Sequence, residues 1–178
     1  MIVKLFDIHN GKVVPSEHAY TLNFLKSVRE NFSEDEQTAI FAYCFYMSCP
    51  NPDLNPFFNV PENDKEDLIR RELRTGDDFP EFDPDDPIIK EALEMSKKLY
   101  ETPTYRAYKG ISSMLDRLAS YMEKTPIEHG RDGNITAIVN AAAKFEQIRN
   151  SFKGAYTDLI DEQKSSVRGG QGLSYDQI

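Results

Sequence analysis

The chain is expected to fold as a mainly α-helical bundle of five to six helices. A long C-terminal helix, a short N-terminal β-strand or hairpin and an extended C-terminal tail complete it. Three observations predict this. Apolar residues recur every three or four positions through much of residues 88–159. Ser33-Glu34-Asp35-Glu36 has the form of a capping box ahead of a stretch, Ala39–Met47, that is apolar nearly all round. Asp86-Pro87 is a helix-start signal and Thr102-Pro103 a helix break. The reading takes residues 1–165 as one helical domain, with residues 1–15 as a β segment and 166–178 as the tail.

Each element follows from its residues. Ile2–Ile8 is β-branched and apolar, and His9-Asn10-Gly11-Lys12 supplies a turn before Val13 and Val14. This is a hairpin, or a single strand that pairs elsewhere. Ser16 reads as the N-cap of a helix carrying Tyr20, Phe24, Leu25 and Val28. The helix after the capping box runs to Ser48. Having no polar face, it must be buried on most sides. Residues 49–63 hold five Asn or Asp and four Pro and must be irregular, with Phe57 and Phe58 anchoring the loop to the core or to a neighbour. A short helix over Glu62–Leu73 leads to a second, acidic loop at 75–87. The helix starting at Pro87 carries Ile88, Ile89, Ala92, Leu93, Met95, Leu99 and Tyr100. The next, from near Thr104, carries Tyr108, Ile111, Leu115, Leu118 and Met122. The last begins at Asn134 and keeps Ile138, Ala142, Phe145, Ile148, Phe152, Ala155 and Leu159 in step. Continuous to Ser165, it measures about 48 Å. A compact domain of this size spans only about 40 Å, so the helix is expected to project or to pack on another copy. Gly154 inside it costs about 1 kcal/mol relative to alanine and predicts a kink or a close helix contact.

Composition excludes several functions. The 178 residues carry a formal net charge of −9, which argues against a protein that wraps nucleic acid with a basic face. The apolar run Ile40–Met47 is far short of the ~20 residues a membrane span needs, and the N-terminal stretch does not have the form of a signal peptide. Cys44 and Cys49 are read as reduced thiols, as in a cytoplasmic product. The charge is local. Residues 62–101 hold 14 acidic and 7 basic residues, whereas residues 102–165 hold 8 and 9. Such a segment is a solvated face, a surface kept off nucleic acid, or one that meets a basic partner.

No catalytic signature is present. The phosphate-binding, dinucleotide, zinc-protease, nucleophile-elbow and CxxC patterns are all missing. His9, His18 and His129 lack metal-ligand spacing. The one site-like constellation is the acidic segment Asp77, Asp78, Glu81, Asp83, Asp85 and Asp86. Carboxylates suit a hard cation, but Pro84 and Pro87 interrupt the loop, and the glycine and late glutamate of a calcium loop are missing. Capping the helix at Pro87 is the simpler role. The single RGG at 168–170 does not make an RNA-binding repeat on so acidic a chain. No metal, cofactor or enzymatic activity is expected.

Two stretches together are similar to a known group. Residues 39–73 join an aromatic helix, an Asn/Pro break, an aromatic plug and a charged helix. Residues 86–122 have a helix, Glu101-Thr102-Pro103 and another helix, followed by a long helix and a glycine-rich end. This order resembles small virion proteins of tailed bacteriophages, particularly those of crAss-like phages. The resemblance covers about residues 39–178 and is a pattern of helices and breaks. It implies a homo-oligomeric ring, twelvefold, in the neck or tail of the virion, made in the cytoplasm of the bacterial host. The implied partners are copies of itself, the portal protein, other neck and tail rings, and double-stranded DNA passing through without sequence-specific contact. No membrane partner is implied. The acidic segment would then face the channel. A helical adaptor or regulatory binding module outside any virion remains the alternative. An enzyme or metal protein built on the acidic loop is a third.

Rings need head-to-tail contacts between identical subunits. The candidate contact residues are Phe57, Phe58, Phe152, Gly154, Tyr156 and the tail residues Gly169, Gly170, Leu173, Tyr175 and Ile178. Gly169 and Gly170 can end the long helix, and Lys164 and Arg168 complement its dipole. Residues 169–178 reach about 33 Å when extended, enough to lie along an adjacent subunit as an assembly arm.

Overall fold

The structure, a computed structural model, describes residues 4–73, 80–128 and 133–168. Among them are six helices and one two-stranded hairpin, the mainly helical fold expected. The sequence reading groups residues 1–165 together, whereas the contacts gather into two compact units, Met1–Glu101 and Thr102–Ile178. The division falls at the Glu101-Thr102-Pro103 break.

The first unit opens with β1 (Phe6–His9) and β2 (Lys12–Pro15), paired antiparallel with Phe6 opposite Pro15 and His9 opposite Lys12. Asn10 and Gly11 both have positive φ, 52° and 78°. This is the turn that matches the twist of a two-residue hairpin. Helix α1 (Asn23–Asn31) begins later than expected, because Ser16 caps something else. The Ser16 hydroxyl donates to the Lys4 carbonyl, and its backbone N–H donates to the Leu5 carbonyl at 2.9 Å. Ser16 closes the hairpin and one isolated turn over residues 16–20. The chain then restarts at Leu22, whose carbonyl accepts from Leu25 and Lys26.

Helix α2 (Glu34–Ser48) is the core. Its capping box is complete: the Glu36 N–H donates to Ser33 Oγ at 3.4 Å, and the Ser33 N–H donates to Glu36 Oε2 at 2.8 Å. The Ser33 hydroxyl, which donates to Glu36 Oε2 at 2.7 Å, and then the Ser33 N–H hold the Glu36 carboxyl below its usual range. Around α2 pack β2, α1, α3 (Glu62–Leu73) and α4 (Pro87–Tyr100). The Phe6 ring meets Phe41 and Phe45 at centroid distances of 6.2 and 6.1 Å. Tyr100, at the end of α4, is buried in the same core as Leu5 and Phe6.

The second unit is an α-hairpin of α5 (Pro103–Lys124) and α6 (Ile135–Arg168). Thr102 caps α5 by accepting from the Tyr105 N–H at 3.1 Å, and its hydroxyl donates to Glu162 of α6 at 3.0 Å. At the other end, Asn134 accepts from the Glu128 N–H and donates to the Pro126 carbonyl, at 3.0 and 2.8 Å. The start of α5 is thus tied to the end of α6, and the helices run antiparallel. With 34 residues, α6 is about 51 Å long. It passes through Gly154 as one helix. A Cβ at Gly154 would meet nothing within 4 Å, so the expected close contact does not occur there among the described residues.

Candidate functional site

The acidic loop resolves into local hydrogen bonds. Asp86 is the N-cap of α4, its Oδ1 accepting from the Ile88 N–H at 2.8 Å with Pro87 in the first turn. Asp83 Oδ1 accepts from the Asp85 N–H at 2.9 Å. Asp85 pairs with Lys90 at 2.8 Å. That bond and charge hold the Asp85 carboxyl below its usual range and raise the Lys90 ammonium. Glu81 is exposed. Asp77 and Asp78 lie outside the described residues. Among the described residues, no group of three or more His, Cys, Asp or Glu is placed to hold a metal ion. What this segment offers chemically is exposed negative charge at the start of a helix.

The loop between α2 and α3 is built by a residue the sequence reading passed over. Asn55 is buried, and its Nδ2 donates to the Tyr46 and Cys49 carbonyls at 2.9 and 2.8 Å. Its Oδ1 accepts from the Phe57 N–H at 3.0 Å. One side chain thus satisfies carbonyls at the end of α2 and turns the chain back. The signal for it was an asparagine placed a few residues past a helix end among prolines, where backbone groups lack helical partners. Phe57 consequently packs on Tyr46 at 5.4 Å, inside its own unit. Phe58 is half-buried, and Leu54 stands exposed at the tip. Cys44 and Cys49 are buried free thiols, and burial pushes them up to about 12 and about 11.

The hairpin of α5 and α6 differs in kind. Phe152 packs on Tyr108 at 5.1 Å, with Tyr156 at 6.0 Å from the same ring. Burial raises the Tyr108 hydroxyl above its ordinary value, followed in effect by Tyr156 and Asp116. Tyr108 is the one buried residue of α5. Ala141 and Leu159 of α6 are buried, but the rest of the inward rows, Ile111, Leu115, Leu118 and Met122 against Ile138, Phe145 and Ile148, are only half-buried. Met114, Tyr121, Ile127, Ile135, Val139 and Tyr156 are exposed. Large apolar side chains thus stand exposed on α5, on α6 and in the segment between them.

Of the expected contact residues, the structure places Phe57 and Phe58 in the first unit, and Phe152, Gly154 and Tyr156 on α6. Gly169, Gly170, Leu173, Tyr175 and Ile178 lie outside the described residues, as does His129. Among the described residues, no helix is long and apolar enough to cross a membrane. No protein-family model, curated protein or solved structure matches the chain.

Proposed function

We propose that this is a structural virion protein of a tailed bacteriophage. It forms a homo-oligomeric ring in the portal, neck or tail assembly and joins head to tail around the DNA channel. One observation carries the reading: a two-helix unit whose apolar rows are half-buried and whose flanks expose further large apolar side chains. Two helices bury a strip between them and leave their flanks to a partner. Identical subunits are the partner a ring provides. The resemblance of residues 39–178 to phage ring proteins supplies the setting, with the portal and adjoining rings as neighbours. The concentrated negative charge of residues 62–101 suits a wall that duplex DNA slides past, because like charges repel and few counterions are released.

The test is the mass of the purified chain by light scattering after gel filtration, followed by negative-stain imaging. A closed ring of many subunits is expected. A monomer that stays monomeric when mixed with a phage portal would favour the adaptor reading. A ring map placing residues 62–101 away from the channel would remove the role given to the acidic segment.

A further inference from the structure

The inward rows of the hairpin define its two open faces. A helix turns about 100° per residue. Residues one position before an inward residue therefore lie on one flank, and residues one position after lie on the other. In an antiparallel pair the two "before" flanks share one face and the two "after" flanks share the opposite face. Met114, Arg117 and Tyr121 precede Leu115, Leu118 and Met122, and Lys144 precedes Phe145. All four are exposed, Met114 at 53%. This first face is apolar and basic toward the loop end of the hairpin, and Asp158, which precedes Leu159, makes it acidic toward the other end.

The second face has the reverse pattern. Asp116 and Glu123 follow Leu115 and Met122, while Val139 and Glu146 follow Ile138 and Phe145. Val139 is 60% exposed and Ile135, one turn away, 43%. This face is apolar and acidic toward the loop end. Toward the other end it is basic, through Lys109, Arg149 and Lys153.

We infer that the hairpins of neighbouring copies stack side by side in register, the Met114–Tyr121 face of one against the Val139–Glu146 face of the next. The inference rests on the ring reading and specifies its interface. The charge pattern decides for a second copy. The charges complement each other at both ends when the hairpins lie level: Arg117 and Lys144 meet Asp116, Glu123 and Glu146, and Asp158 meets Arg149 and Lys153. Paired unlike and level, the two faces make a head-to-tail contact, whereas a two-fold dimer would set one face against itself end for end. Such a contact generates a ring where the rotation between copies closes.

Two variants test this. In D116K/E146K both faces are basic toward the loop end; in R117E/K144E both are acidic. All four positions are exposed, and the helical circular-dichroism signal checks that each variant folds. Each alone is expected to assemble at least about tenfold more weakly than wild type, because like charges now meet. An equimolar mixture is expected to recover wild-type mass by light scattering, with both variants in one particle. If wild type assembles and each variant alone assembles equally well, or the mixture fails to recover, the paired faces are overturned and the ring stands. If wild type and the mixture are both monomeric, both readings fall.

Discussion

In α2, nine of 15 residues are buried; in α5, one of 22 is. Both helices carry apolar residues at helical spacing, and both begin with a side-chain cap. They differ in how many sides are covered. Helix α2 is enclosed by a hairpin and three helices, and its apolar circumference matches that enclosure. Helix α5 faces one antiparallel neighbour along its length, so its inward row is half-shielded and its flanks are open. Apolar spacing thus reports which face is inward, while the width of the apolar arc reports how many partners the helix needs. Within the second unit, α5 and α6 have arcs wider than one partner covers.

The largest effect separating the units is cavity formation. Phe45→Ala in α2 removes a ring that is 2% exposed and is expected to cost about 3–5 kcal/mol. Phe152→Ala in α6 removes a half-buried ring and is expected to cost about 1–2 kcal/mol in the unassembled chain. Urea unfolding followed by circular dichroism measures both. Equal losses would mean that the second unit is as enclosed as the first, and the comparison would fail.

Next in size is Asn55. Asn55→Ala leaves the Tyr46 and Cys49 carbonyls and the Phe57 N–H without their partner at a buried site. The expected loss is about 2–3 kcal/mol. The corresponding polar bracket of the second unit, Asn134, lies at the half-exposed loop end of the hairpin, where water can replace its bonds. Asn134→Ala is expected to cost less than half as much by the same unfolding measurement. A cost equal to that of Asn55→Ala would show the hairpin end to be as sealed as the core.

What was legible in the sequence follows the same line. Caps and breaks were readable because their physics spans four residues: Ser33 with Glu36, Asp86 with Pro87, Asn10 with Gly11. The start of α1 was misread because Ser16 spends its hydroxyl on Lys4, twelve positions away, and no local pattern carries that bond. Asn55 was missed for a related reason, since its acceptors lie six and nine residues back. The division after Glu101 was not legible either. Glu101-Thr102-Pro103 reads as a turn between two helices whether or not their rows join one core. The acidic segment was readable as a cap at Asp86, and the charge around it needed no further structure. The two faces of the hairpin could have been read from the heptad-like rows once the antiparallel pairing was known.

The thiols distinguish the units by pH. Cys44 and Cys49 are pushed from 9.0 up to about 12 and about 11 by burial in the first unit. A raised pKa favours the protonated form in the fold. Their contribution is therefore complete below pH 9 and is lost as pH rises through the folded values. Each thiol takes away about 1.4 kcal/mol per pH unit across its window. Tyr43 and Tyr100, also raised by burial, act in the same direction at higher pH. Unfolding free energies measured from pH 8 to 10.5 should fall, and the fall should be smaller in C44A/C49A than in wild type. A flat profile would mean that the thiols are ionised or solvated in the folded unit.

The smallest expected effect is at Gly154, and it bears on what the second unit leaves open. Alanine there meets nothing within 4 Å and gains helix propensity, so Gly154→Ala should stabilise the unassembled chain by up to about 1 kcal/mol. Gly154 is exposed on α6 two positions after Phe152 and two before Tyr156. That takes it about 200° round the helix from Phe152, away from the inward row. It lies one turn before Asp158, at the end of the first stacking face away from that face's apolar cluster. The variant should assemble like wild type while unfolding at higher urea. Loss of assembly with the stability gain intact would put a neighbour's backbone against the outer side of α6. The glycine would then be a contact in its own right, and the first stacking face would extend round α6 beyond Asp158.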